Sequence, residues 1–434
     1  MRIAILLLAA TAASAQQPLT LAELEARALR MNPTLRQADA AVDVAAGLRK
    51  QAGRYPNPVI GAEGEELSDA PGLRGGELGM FLEQRIITGG KLSKSQAVFT
   101  HQRSQAEAAK AAQRRRVLNA VRSLYYQALA ADRLVEVETE LSKIATEAVA
   151  ISERLANVGQ ADRPDVLAAD IEAQSAEMAV LRAEMERDRT WVQLASSVGD
   201  PTLERQPLEG DLADFPDLEK SAALARVMED SPEIQLARAA VDRADAEVSR
   251  EKAQVIPDIE AKGGFRHNPA FALDGRPVGR EGLFEVGVAL PIFNRNRGAI
   301  RAARASLESS KAEVERVKLS LQVRLAVAYQ QYAVSAAMAR RYQTRMLPRA
   351  KEAYDLYLAS FSRMAAAYPQ VLIAQRNYFR LQEDYVRTLA ATWTAAVQIE
   401  GLLLSGGLDQ PLAVGDDLGQ RGMHGGMDSG TIGH

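Results

Sequence analysis

Two hydrophobic periods alternate along this chain. Leu21, Leu24 and Ala28 recur at spacings of three and four, which places them on one helix face, and Thr20-Leu21-Ala22-Glu23 has the form of a capping box that starts the helix. Asn32-Pro33 breaks it, because proline has no N–H and restricts the residue before it. A second helix is predicted to about Arg54. The stretch AGRYPNPVIGAEGE (Ala52 to Glu65) then passes through Pro56 and Pro58 into a pattern of period two. Strands are predicted from Pro58 to about Leu67 and, after a Gly/Pro/Asp turn at Ser68 to Gly76, to about Ile86. In the second strand Leu78, Met80 and Leu82 share one face, and Gly79, Phe81, Glu83 and Arg85 the other. The period next changes to 3.5. Leu134, Val137, Leu141, Ile144, Ala148, Ile151 and Leu155 form an unbroken heptad seam on a helix expected from near Leu92 to near Asn157. Those roughly 65 residues make a rod of about 100 Å. Beyond Gly159 and Pro164, Leu167, Ile171, Met178, Leu181, Met185 and Val192 mark a returning helix.

The same programme then runs again. Pro232, Val241, Pro257 and Gly263 each follow Pro33, Val42, Pro58 and Gly64 by 199 residues, so a whole unit is duplicated. Ile259, Ala261, Gly263 and Phe265 oppose Asp258, Glu260, Lys262 and Arg266. After a turn region from Asn268 to Arg280, Phe284, Val286, Val288 and Leu290 oppose Glu285, Gly287 and Ala289. An outbound helix from about Arg297 to Ser360, kinked at Pro348, and a return from about Pro369 to Leu404 complete the copy. The expected organisation is a first repeat at 16–204, a connector at 205–230, a second repeat at 231–407 and a Gly/Met/His tail at 408–434.

Composition fixes the solvent that these strands meet. MRIAILLLAATAASA has a basic second residue, a short apolar run and an Ala13-Ser14-Ala15 ending, the pattern of a secretory signal over 1–15. Its apolar run is too short for a membrane-spanning helix. The chain has no cysteine, which excludes disulfides, thiolate metal sites and thiol nucleophiles. Basic and acidic residues are nearly balanced, 53 against 56, which gives no footprint for nucleic acid. The Arg114-Arg115-Arg116 run reads as a solvated or subunit-pairing helix face. No His-Glu-x-x-His motif occurs and GGKLSKS lacks phosphate-loop spacing, so no catalytic set emerges and no cofactor is expected.

Each strand has about the ten residues that a tilted strand needs to cross a bilayer, with one apolar and one polar or small face. A single such hairpin would more simply pack on a soluble core. Two matching hairpins in an exported chain, each flanked by very long helices, favour a membrane barrel. Four strands cannot close a barrel, since both edges would present unpaired backbone to lipid, so the chain is expected to oligomerise. Glu63, Glu83, Arg85, Glu260, Lys262 and Glu285 would then line a wet pore. AGRYPNPVIGAEGE is the hinge between the helical and membrane parts.

These residues resemble the TolC-type outer-membrane efflux proteins, over roughly Leu19 to Gly407. The resemblance rests on TLAELEARALRMNPTL, on the two helix–strand hinges, on VGQADRPDVLAAD at the first helical tip and on LPIFNRNRGAIRAARASL, the last being most similar to the heavy-metal branch. It implies a mainly α fold with a membrane β-barrel part, in which three protomers share a twelve-stranded barrel in outer-membrane lipid. It also implies a periplasmic tunnel that docks on an adaptor protein coupled to an inner-membrane pump of the resistance-nodulation-division type. Carried across residue by residue, Asn157, Val158, Gly159, Asp162, Asp165, Val166 and Leu167 match the docking and entrance loop. The second tip departs: Met364 stands where glycine is usual, and Gln370 and Ile373 where some relatives place entrance carboxylates. Asp162 and Asp165 are then the source of negative charge.

The tail QRGMHGGMDSGTIGH brings together Met423, His424, Met427 and His434, imidazole and thioether ligands suited to Cu(I) or Ag(I). Its plainer reading is a flexible Gly-rich segment with incidental ligands. The expected function is a passive heavy-metal efflux duct. Its rivals are the same channel in drug efflux or protein secretion and, more remotely, a soluble periplasmic coiled-coil scaffold.

Overall fold

The computed structural model describes residues 18–65, 76–159, 161–271, 276–363 and 368–412. The signal segment at 1–15, nearly all of the first hairpin turn, Met364 and the tail ligands Met423, His424, Met427 and His434 lie outside the described residues.

The elements are α1 (Leu21–Met31), α2 (Pro33–Ala52), β1 (Val59–Glu65), β2 (Glu77–Ile86), α3 (Lys91–Asn157) and α4 (Arg163–Val198). There follow α5 (Lys220–Asp230), α6 (Pro232–Ala253), β3 (Ile259–Phe271), β4 (Pro277–Val288), α7 (Arg297–Arg341), α8 (Leu347–Ser362) and α9 (Tyr368–Glu400). Helix α3 runs unbroken for 67 residues. The capping box forms as read: Thr20 Oγ1 accepts from the Glu23 N–H at 3.3 Å, and Glu23 Oε2 accepts from the Thr20 N–H at 3.1 Å. Compactness groups the chain into two units that cut across the two repeats. One holds Gln113–Glu229, Leu321–Gln410 and the described part of Met1–Arg36; the other holds Gln37–Ala112, Asp230–Ser320 and the described part of Pro411–His434.

In the first unit, Leu24 and Ala28 of α1 pack with Val117, Val121 and Tyr125 of α3 and with Trp191, Leu194 and Val198 of α4. Three members of the heptad seam, Leu134, Val137 and Leu141, are buried in a longer core with Tyr354, Val371, Tyr378 and Leu389. Side chains on α4 divide by size. Its buried positions are mainly alanines, Ala169, Ala173, Ala176 and Ala183, while Leu167, Ile171, Met178, Leu181, Met185 and Val192 are exposed. Small residues bring the helix close to its neighbours within the chain, and the large apolar stripe is left outside.

The fault at Pro348 takes the form of a π turn, Tyr342–Met346. Proline cannot donate and its ring crowds the carbonyl one turn back; the widened turn lets the Leu347 N–H reach Tyr342 O, five residues back, before the proline. Past α9, Leu402 and Leu403 adopt φ of 58° and 63°, unusual for bulky residues, while almost wholly buried. Asn119 Nδ2 donates to the carbonyls of Gly401 (2.8 Å) and Leu404 (2.9 Å), and Arg324 to that of Leu403 at 2.7 Å, so side chains hold this strained turn from both sides.

The second unit contains one antiparallel sheet of order β1-β2-β3-β4, joined between repeats by β2 and β3. The second hairpin is longer than its sequence suggests, since β3 runs to Phe271 and β4 starts at Pro277, inside the expected turn region. Asn268 Nδ2 donates to Glu77 Oε1 at 2.5 Å, which ties the extra length to β2. Pro277 opens its strand, a position where the missing N–H is tolerated.

Candidate channel lining and helical tip

The register builds one charged face and one apolar face. Glu63, Gly79, Arg266 and Glu281 form one row across the four strands; Val59, Glu83, Lys262 and Glu285 form another; Arg85, Glu260 and Gly287 a third. All six residues expected to line a pore therefore share a face. The opposite face carries Ile60, Leu78, Met80, Leu82, Phe265, Phe284 and Val286, all exposed, with Phe284 at 80%.

Two cations organise the charged face. Lys262 Nζ lies 2.6 Å from Glu63 Oε2 and 4.3 Å from the centre of the Phe81 ring. That ring lies over Gly61, where a Cβ would force it to move. Glu63 and Lys262 are also separated by 199 residues, so this ion pair joins equivalent positions of the two repeats. Arg266 gathers Glu65 (2.6 Å), Glu77 (2.8 Å) and Glu281 (3.0 Å). Glu83, Glu260 and Glu285 make no hydrogen bond or ion pair among the described residues. On this face Glu63, Glu65, Glu77, Glu83, Glu260, Glu281 and Glu285 outnumber Arg85, Lys262 and Arg266. The unpaired carboxylates lie in the rows next to the helices.

Asp258 differs from its sequence reading. It precedes β3 and its side chain is only 6% exposed, turned into a knot with the junction of β2 and α3. It accepts from Lys91 Nζ at 2.7 Å, from Arg85 Nη2 at 2.9 Å and Nε at 3.1 Å, and from the Thr88 N–H at 3.1 Å. Burial pushes its pKa up, but these donors outweigh it and hold the carboxyl below its ordinary value. The sequence reading missed this knot, and with it Glu65, Glu77 and Glu281 as parts of the charged face. The acidic residues were visible as alternating polar positions, but their partners stand on strands separated from them in sequence.

At the first tip, Asn157 ends α3, and Gly159 turns the chain with φ of 72° and open space where a Cβ would be. Asp162 is the N-cap of α4 but its carboxylate makes no capping bond; its carbonyl accepts from the Asp165 N–H at 3.0 Å. Asn157, Val158, Gly159, Asp162 and Leu167 are exposed, Asp165 is half-buried, and Val166 is 7% exposed and packs inward. Gln370 and Ile373 of α9 are exposed as well. Arg376 on α9 reaches Glu172 on α4 at 2.7 Å, bracing the helices behind this tip. Among the described residues no cluster of His, Asp and Glu could hold a metal ion, and no helix is long and apolar enough to cross a membrane.

Long duplicated helix pairs carrying a four-stranded sheet with one wet and one greasy face define a TolC-like channel fold. The sequence profile described as outer membrane efflux protein matches residues 24–200 and 223–403. The chain belongs to the outer membrane efflux protein family: it is an outer-membrane channel with a periplasmic helical part, and not an enzyme. It is 26% identical over 386 residues to the cobalt-zinc-cadmium resistance protein CzcC of Cupriavidus metallidurans, spanning 89% of this chain and 90% of that protein. Its fold is similar to that of the outer membrane protein VceC of Vibrio cholerae, with a TM-score of 0.72, 19% identity, and coverage of 90% of this chain and 97% of that one. It is similar also to CusC, with a TM-score of 0.72, 17% identity, and coverage of 89% and 92%.

Proposed function

We propose that this channel is the exit duct of a tripartite system that expels heavy-metal cations, docked on a periplasmic adaptor and driven by an inner-membrane pump of the resistance-nodulation-division type. The observation that carries this reading is the sheet, whose apolar face suits lipid and whose opposite face has an excess of carboxylates. One sheet leaves β1 and β4 with free edges that lipid cannot satisfy, so several copies must close the barrel, and the family resemblance implies three. The exposed stripe on α4 is the kind of apolar helix face that a neighbouring copy would cover. Inside the barrel, Glu83, Glu260 and Glu285 favour cations over anions while binding none tightly, which suits a duct. Asn157, Val158, Gly159, Asp162, Asp165 and Leu167, with Met364 and Gln370 of the second tip, form the adaptor-facing end. The likeness to the cobalt-zinc-cadmium resistance protein supports metal cations as cargo.

The test joins two measurements. The purified protein in planar bilayers should give discrete conductance steps from a detergent-solubilised trimer, and a deletion strain should become sensitive to cobalt, zinc or cadmium. A soluble monomer that never conducts would overturn the channel. Conductance without any change in metal tolerance would overturn the metal cargo alone.

A further inference from the structure

Away from sheet and tip, the first unit holds a cleft of about 740 Å³ between α3, α9 and the connector at 205–213. Its volume lies in the usual range for small-molecule sites. Leu129, Pro207, Leu208, Leu212, Val386 and Leu389 supply apolar walls. Beside Arg133 and the carboxylates of Asp132, Glu136 and Asp211, Arg187 of α4 and Arg205 of the connector bring positive charge.

Those two guanidinium groups are poorly satisfied from within the chain. The Arg187 side chain is only 18% exposed, yet its one contact is a long 3.4 Å approach from Nε to the neighbouring Asp188. Arg205 has Asp132 at 4.0 Å, beyond hydrogen-bond reach. Nearby Arg133 and Glu136 neutralise each other at 2.7 Å, and Asp211 already accepts from the Ala213 N–H at 2.8 Å. Asp132 is the carboxylate on which both arginines pull, and burial pushes its pKa up against that pull; Asp188 meets Arg187 only at 3.4 Å. Planar guanidinium groups with open donors match a carboxylate better than any other common anion except phosphate. The apolar wall beside them favours an organic acid over inorganic phosphate.

We propose that this cleft binds a small organic monocarboxylate with an apolar body, its carboxylate held by Arg187 and Arg205 and its body against Leu208, Leu212 and Leu389. The source could be a free organic acid or the C-terminus of an apolar peptide, since both present the same group.

The test titrates the full-length protein in detergent with N-acetylleucine, its uncharged analogue N-acetylleucinamide, and acetyl-Leu-Leu with a free C-terminus. The acids should bind at least about tenfold tighter than the amide, and Arg187→Gln or Arg205→Gln should each weaken them by about tenfold or more, the worth of one charge-assisted hydrogen bond. Arg114→Gln, a distant exposed substitution, should change nothing. Asp132→Asn removes the competing carboxylate and should tighten binding, a gain that damaged folding would not produce. Tighter binding of acetyl-Leu-Leu than of N-acetylleucine would assign the peptide source, and the reverse the free acid. Equal binding of acid and amide, no saturation into the millimolar range, or loss of binding in Asp132→Asn would each overturn the proposal.

Discussion

Replacing Asp258 by asparagine tests how the hinges between helices and strands are held. The carboxylate is 6% exposed and its partner Lys91 10% exposed, at 2.7 Å. Asparagine keeps the shape and can still accept from the Thr88 N–H, but it leaves a nearly buried ammonium without a counter-charge. Breaking a buried pair from one side costs about 3–5 kcal/mol. Arg85, at 57% exposure, adds about 0–1 kcal/mol because solvent screens it. The expected loss is therefore about 3 kcal/mol or more, seen as a fall of several degrees in the melting temperature of the sheet-containing unit by circular dichroism in detergent. Glu63→Gln provides the contrast. It removes a pair with Lys262 whose side chains are 27% and 26% exposed, and should cost clearly less than Asp258→Asn. The pH dependence has a definite sign: a carboxyl held below its ordinary value stabilises the fold above that value, and the contribution fades as pH falls below about 4. Wild type and Asp258→Asn should converge there. Equal melting of Asp258→Asn and Glu63→Gln at neutral pH would refute the argument that burial, and not ion-pair count, sets the worth of these contacts.

Other outcomes follow from the same reasoning. Replacing Glu83, Glu260 and Glu285 together by glutamine should shift the zero-current potential in a salt gradient toward that of a non-selective pore; an unchanged potential would remove them from the lining. Asn119→Ala frees two buried carbonyls at the strained Leu402–Leu403 turn and should cost about 2–4 kcal/mol; urea unfolding measures it, and a neutral result would mean that the turn is held elsewhere. Tyr125, whose hydroxyl donates to Glu209 O and has Leu19 O as a second, longer acceptor at 3.1 Å, is pushed by burial to about 12, so stability falls as pH rises from about 10 toward that value. Tyr125→Phe should lessen that alkaline slope, leaving the part from Tyr126 and Tyr385, which burial also pushes up. Gly159→Ala meets no neighbour and should cost only the left-handed backbone penalty, about 1–2 kcal/mol locally, read by hydrogen exchange at the tip.

Much of the architecture was legible in order along the chain. The period-two runs and the 199-residue offset specified two hairpins, and the heptad from Leu134 to Leu155 specified a long packed helix, because side-chain period and element type are linked by backbone geometry alone. Alternation also put Glu63, Glu83, Arg85, Glu260, Lys262 and Glu285 on one face before any strand was paired. Cross-strand order was not legible. Only pairing of β2 with β3 brings Lys262 over Phe81 to Glu63, draws Arg266 among Glu65, Glu77 and Glu281, and closes the hinge around Asp258.

On α4 the sequence determined that Leu167, Ile171, Met178, Leu181, Met185 and Val192 form a stripe, but not which way the stripe faces. Packing decided that, because Ala169, Ala173, Ala176 and Ala183 allow helices to approach closely within the chain and turn the larger side chains outward. Pro348 announced a fault in its helix, and the surrounding turns gave it the form of a π turn. Local rules fix period, breaks and faces, since these depend on neighbours along the backbone. The partner of each charge, and the side of a helix that meets water or another chain, depend on groups hundreds of residues away, and only the tertiary structure brings those together.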